Sequence, residues 1–291
     1  MDKLKIVIVN TTDIKGGAAR AAFRLHSGLR GIHTNSNYYV QYQHSKDRYT
    51  ISEASNPKKL VNLIRPSIDS IPLHFYPQKK DTFFSLCWVP RVFDQSARYL
   101  SSYDIVHLHW TCNAFIPINE LKHYNRPIVW TLHDMWPFTG GCHYSGACTK
   151  YKSKCGKCEQ LNSKSERDLS RWTWHRKSKA FDNLNLTVVT PSQWMACCAR
   201  ESSLFKNKRI EVIPNGINTS VYKPVRKKLA RSILNLPDSK KLILFVAFDS
   251  TSDKRKGFDL LNQALIQNKN LSPQKNALII LGPRPKGPAP I

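Results

Sequence analysis

Residues 127–158 read PIVWTLHDMWPFTGGCHYSGACTKYKSKCGKC, and the fold follows from how that stretch is divided. Residues 128–132 (IVWTL) form a short, β-branched apolar run of the kind that parallel sheets bury on both faces. The run ends in the polar dipeptide His133-Asp134, then opens into a loop with aromatics, the pair Gly140-Gly141 and four cysteines. Open α/β sheets hold their ligands outside the carboxyl ends of the strands. His133 and Asp134 therefore stand where a ligand is expected.

Working upstream, a piece of helix length (117–124) separates this strand from another at 104–109 (DIVHLH), which ends in His109. Two such histidine endings on neighbouring parallel strands predict a polar cleft. Residues 36–42 and 4–9 (LKIVIV) supply two more strands. The first of the chain runs into NTTDIKGG (10–17), and AARAAFRLHSGLR (18–30) then has helical periodicity. Ala22, Leu25 and Leu29 share one face of that helix, with Arg20 and Arg24 on its flank. Gly16 and Gly17, just ahead of it, let backbone N–H groups approach an anion at the helix amino end. A Gly-Gly turn is also ordinary geometry. Residues 56–101 mix apolar and aromatic side chains with Lys and Arg. They fit either helical packing with solvated basic flanks or a surface where aromatics meet lipid and cations meet its phosphates.

Downstream, 167–181 is predicted helical, 186–190 a strand, 192–200 a helix capped by Ser192, and 209–213 a strand. Pro214-Asn215-Gly216 turns the chain. Alternation restarts with a strand at 242–248, a helix at 257–267 and a strand at 277–281. The expected architecture is α/β: a Rossmann-like doubly wound domain over 1–213 with a Cys-rich loop at 140–160, a linker over 214–240, and an incomplete second Rossmann-like domain over 241–291. That second unit is too short to close a sheet.

The chain has 291 residues, 41% of them hydrophobic, enough for a substantial core. Its 45 Lys and Arg against 20 Asp and Glu give a formal charge of +25. Such an excess, spread along the chain, implies an anionic partner: nucleic acid, acidic lipid or phosphorylated substrate. No apolar run approaches the ~18 residues of a spanning helix, and the apolar start is too short for a secretory signal. Residence in the cytoplasm is expected, with peripheral attachment to a membrane open.

Cys142, Cys148, Cys155 and Cys158 are spaced C-x5-C-x6-C-x2-C. The C-x2-C half lets two thiolates reach one tetrahedral ion, so a structural zinc is one reading, with His143 able to replace a cysteine. Reduced buried thiols are the second reading, and a disulfide pair the third. Cys87, Cys112, Cys197 and Cys198 read as ordinary interior thiols, and Trp136, Phe138 and Tyr144 as loop packing.

Taken in order, GGAARAA from Gly16, DIVHLHW from Asp104, IVWTLHDMWPFTGGCHYSGAC from Ile128, CGKCEQL from Cys155, VTPSQWM from Val189, VIPNGINTSVYKP from Val212 and SDKRKGFDLL from Ser252 make the chain resemble the family 4 glycosyltransferases. Those are retaining enzymes of the GT-B fold, and the likeness is to those of bacterial exopolysaccharide and colanic acid assembly. The resemblance implies a nucleotide-sugar donor and a lipid-linked or oligosaccharide acceptor, with chemistry between an acceptor domain and a donor domain at the inner face of the cell membrane. It assigns Gly16 and Gly17 to donor and acceptor binding, to which Arg20 on the helix flank is added as a candidate, and His109, His133 and Asp134 to the catalytic set. Arg255 and Lys256 match the basic residues that neutralise the donor diphosphate, Arg255 substituting for an arginine usually found further upstream. No catalytic metal and no carboxylate nucleophile are expected.

The family's paired glutamates, glycine-rich donor loop and closing helices have no counterpart here. The expectation is a truncated donor domain and impaired activity alone, or a non-catalytic partner subunit completed by a separate donor-domain chain. A basic, zinc-stabilised nucleic-acid binder is the remaining rival. It has no zinc-finger spacing and no base-reading helix to support it.

Overall fold

The computed structural model describes residues 4–52, 56–91, 96–247 and 253–282. The proline-rich end of the sequence lies largely outside them, as does the first residue of the motif beginning at Ser252. The chain forms two units, Met1–Asn218 and Thr219–Ile291.

The first unit is built on β1 (Lys5–Thr12), β2 (Asn35–Tyr42), β3 (Thr50–Ser52), β4 (Ile105–Leu108), β5 (Ile128–Thr131), β6 (Leu186–Thr190) and β7 (Arg209–Val212). These strands make one sheet in the order β3-β2-β1-β4-β5-β6-β7, every pairing parallel. The helices are α1 (Gly17–Gly31), α2 (Asn56–Ser70), α3 (Ser96–Leu100), α4 (Leu169–Phe181) and α5 (Gln193–Glu201). Strand order runs outward in both directions from the β1–β4 pair, which makes that pair the topological switch point.

Side chains alternate across the strands. Ile6 and Ile8 of β1 pack with Tyr38, Val40 and Ala22 beneath α1. Val7 and Val9 face the larger core, with Val106, Leu108, Trp130, Phe181 and Phe205. The helix over 18–30 forms as its periodicity predicts, and Ala19, Ala22 and His26 are its buried residues. Asp168 caps α4 by accepting the N–H groups of Ser170 and Arg171, and Ser192 caps α5 through Met195 N–H. Residues 56–101 hold both buried and exposed apolar side chains. Leu73 and Leu86 join a small core with Leu161, whereas Phe75 and Phe83 are 82% and 68% exposed.

The second unit holds α6 (Lys227–Ile233), β8 (Lys241–Val246), α7 (Phe258–Gln267) and β9 (Asn276–Leu281), with β8 and β9 paired in parallel. The stretch 214–240, read as a linker, therefore contains a helix. Its seven residues are too few and too basic for their periodicity to stand out. Phe258, at the start of α7, packs its ring 5.4 Å from that of Phe245.

Candidate functional site

The carboxyl ends of β1, β4 and β5 are tied together by the residues that terminate them. Asn10 accepts the Trp110 N–H at 2.8 Å, and the Thr11 hydroxyl donates to the carbonyls of Trp110 and Cys112 at 3.0 and 2.8 Å. Trp130 donates its indole N–H to the His109 carbonyl at 2.9 Å. A polar rim thus joins the strand ends at the switch point.

Three histidines stack along that rim. The rings of His107 and His109 lie 4.6 Å apart, and those of His109 and His133 lie 5.1 Å apart, close to parallel. His109 Nδ1 and His133 Nε2 are 2.8 Å apart, one donating to the other, and His107 Nε2 meets the Thr131 hydroxyl at 2.8 Å. Burial holds His107 and His133 neutral, each pushed down to about 4, and His109 is held well below the ordinary imidazole range. His133 is half-buried, while His109 is buried. Among the described residues His109 Nε2 has no hydrogen-bond partner. The stack can therefore exchange hydrogen bonds with a hydroxyl-bearing ligand, as uncharged donor and acceptor.

Asp134 turns inward, only 6% exposed. Its Oδ1 accepts the Trp136 N–H at 2.9 Å, and its Oδ2 accepts from Trp110 Nε1 at 3.0 Å and His143 Nδ1 at 2.7 Å. Burial works to raise this carboxyl, but His143 and the other donors bring it below the usual carboxylate range. On the far side of the imidazole, His143 Nε2 meets the Ser85 hydroxyl at 2.9 Å. Of the dipeptide, then, His133 faces outward and Asp134 orients the loop.

Ser85 was not visible as a site residue in the sequence. It reaches His143 because residues 84–85 lie antiparallel against 141–142, through the Phe84–Cys142 bridge and the Ser85 N–H to Gly141 carbonyl bond of 2.9 Å. With both ring nitrogens engaged, His143 does not serve as a substitute cysteine, which corrects that expectation.

Gly16 has φ +92°, a backbone that favours glycine, and caps α1 with no side-chain partner; Gly17 begins the helix. Both are exposed, as is Arg20 one turn on. Behind them Asp13 is fixed by the N–H groups of Ile14, His44 and Ser45. In the second unit Arg255 forms a two-pronged ion pair with Asp253, so much of its charge is already matched. Lys256 is exposed, immediately before Gly257 at the start of α7.

The four loop cysteines line one cavity of about 20 Å³, with Phe84 and Tyr151 among its walls. Among the described residues no three His, Cys, Asp or Glu side chains are gathered as a metal ion requires. The zinc reading is thus not met by the arrangement as it stands. All eight cysteines are unbridged, and Cys197 is exposed and not interior. Trp136 and Phe138 are buried as loop packing, but Tyr144 is 44% exposed. Behind the loop, the wholly buried Lys177 of α4 donates to the carbonyls of Trp136 and Thr139 and lies 3.7 Å over the Trp136 ring. A lysine on a helix reads from sequence as solvated, so this one carried no signal.

Comparison with known proteins agrees with the geometry. The model of Glycosyltransferase Family 4 matches residues 15–221. The colanic acid biosynthesis glycosyl transferase WcaC of Escherichia coli K12 is 25% identical over 228 residues, covering 74% of this chain and 55% of WcaC. HepE of Anabaena, solved with UDP-glucose, superposes with a TM-score of 0.54 at 12% identity, over 95% of this chain and 60% of HepE. WaaG, a glycosyltransferase involved in lipopolysaccharide biosynthesis, superposes with a TM-score of 0.50 at 12% identity, over 94% of this chain and 62% of WaaG. The fold is that of a partial GT-B glycosyltransferase, and the chain spans little more than half the length of the relatives it matches.

Proposed function

The chain belongs to glycosyltransferase family 4, and on that basis we propose that it takes part in moving a sugar from a nucleotide-sugar donor to a saccharide or lipid-linked acceptor during assembly of a cell-surface polysaccharide. One observation carries the reading: a stack of neutral imidazoles, half open to solvent at His133, at the switch point of the first unit's sheet. Ligands of open α/β sheets bind at that place, and a sugar hydroxyl is matched by uncharged donors and acceptors.

In this reading the first unit holds the acceptor and the second begins the donor side. His133, backed by His109, hydrogen-bonds the reacting sugars, while Asp134 and His143 keep the loop in register. Asp134 already accepts three N–H groups, so it is assigned no nucleophilic role, and transfer with retention is proposed without an enzyme carboxylate. HepE binds UDP-glucose, and a uridine diphosphate sugar is the donor class proposed here. As the bond to the sugar breaks, charge gathers on the departing diphosphate, and fixed cations and helix amino ends stabilise it most at that point. In the second unit Lys256 is assigned that task, and in the first the α1 amino end behind Gly16 and Gly17 is assigned an anionic group of donor or acceptor. Arg20 is a flanking cation, and Arg255 contributes once it leaves Asp253.

The formal charge of +25 and the exposed Phe75 and Phe83, with Lys79 and Lys80 between them, favour work at an acidic membrane surface, on the inner face for a lipid-linked acceptor.

The test is transfer of labelled sugar from UDP-sugars to lipid-extractable acceptors in bacterial membranes. The wild-type protein should raise the label, and His133→Ala should lower that gain at least about 100-fold. Equal transfer by both proteins would overturn the assignment. Transfer that appears only on adding a second chain would make this polypeptide an acceptor-side subunit.

A further inference from the structure

Apart from the sugar site, one group of side chains has no part in transfer. Cys142, Cys148, Cys155 and Cys158 all line a single cavity of about 20 Å³. That is near the volume of one small sphere. The surrounding backbone is drawn in tightly. A Cβ on Gly140 would lie 2.4 Å from the Ser170 carbonyl and 2.7 Å from Cys155 Cβ, and one on Gly156, at φ +148°, would lie 2.6 Å from the Glu166 carbonyl.

Four thiolates around a divalent cation leave two negative charges in excess. The wholly buried ammonium of Lys177 lies within electrostatic reach of Cys142 and Cys155.

We propose that this cavity is a structural zinc site, with Cys142, Cys148, Cys155 and Cys158 as its four ligands. Because no three donors are gathered at ligand distance as the side chains stand, binding turns the thiols inward. A change of χ1 rotamer moves a sulfur by about 3 Å. The site is closed, four protein ligands to one tetrahedral ion, and so leaves no position for chemistry. Its effect is mechanical. Cys142 immediately precedes His143, and the Cys158 N–H donates to Asp168, the cap of α4, at 2.8 Å. The ion would hold the loop carrying Asp134 and His143 against α4.

Elemental analysis of protein purified without chelator tests the proposal, along with release of zinc by a thiol-blocking mercurial read with a chromophoric chelator. The second measurement needs no variant. About one zinc per chain is expected, released only as the thiols are blocked. The pair Cys155→Ser with Cys158→Ser should fall below about a tenth of that, while Cys197→Ser keeps all of it. Cys148→His, which preserves a ligand, should retain the ion and alter the absorption of the cobalt-substituted protein. Protein that holds less than about a tenth of an equivalent even after reconstitution under reducing conditions would overturn the site. So would two disulfides found by mass, or iron and sulfide in place of zinc.

Discussion

At the level of single residues, the neutral histidine stack makes stability depend on pH in a defined direction. His107 and His133 fall from an ordinary value of 6.5 to about 4 in the folded chain, through burial. An unfolded chain therefore binds more protons than the native one between those values. Stability from these groups is complete above about pH 6.5 and declines as pH falls toward about 4. Urea midpoints measured from pH 7.5 to 4 should drop across that window, and His107→Asn should flatten the drop. An unchanged slope would show that His107 is not held neutral. The same residues mark how far sequence reading reaches. His109 and His133 were legible because each ends a β-branched run whose direction is known. The Ser85–His143 contact joins residues 58 positions apart, and Lys177 sits on a helix where a lysine ordinarily faces water, so neither left a trace in local pattern.

Elements were legible where periodicity and capping agreed. Strand β6 has the bounds that its run of LTVVT predicts, and Ser192 caps α5 as expected. Three-residue β3 and seven-residue α6 are too short for a period to register, and the structure over 117–124 is a 3₁₀ turn, Ile118–His123, shortened by the tight return into β5. The cysteine loop is an element in its own right, held by close backbone approaches that only glycine permits. Gly140→Ala would drive a methyl into the Ser170 carbonyl and the Cys155 side chain. It should cost about 2–3 kcal/mol, seen as a lower thermal midpoint. Gly146→Ala is the contrast: its φ of +58° carries a modest strain, but a Cβ there meets nothing within 4 Å. A Gly140→Ala midpoint equal to that of Gly146→Ala would show that the loop is not tight.

At the scale of the whole molecule, the seven-stranded parallel sheet and its switch point follow from the order of strands and helices, as right-handed crossovers require. The charge excess belongs to this scale too. Sedimentation with vesicles containing acidic lipid should be strong at low salt and fall several-fold at about 0.5 M salt, where screening is nearly complete beyond contact. Phe75→Ser with Phe83→Ser should weaken what remains. Equal binding to neutral vesicles would remove the electrostatic part of the proposal. The most direct measurement is ring-nitrogen NMR of the histidines, titrated with lipid-linked saccharide freed of its lipid. The account predicts that His109 and His133 resonances shift together and saturably, while His123 and His175 stay in place. Shifts confined to histidines away from the ends of β4 and β5, or none at saturating saccharide, would contradict it.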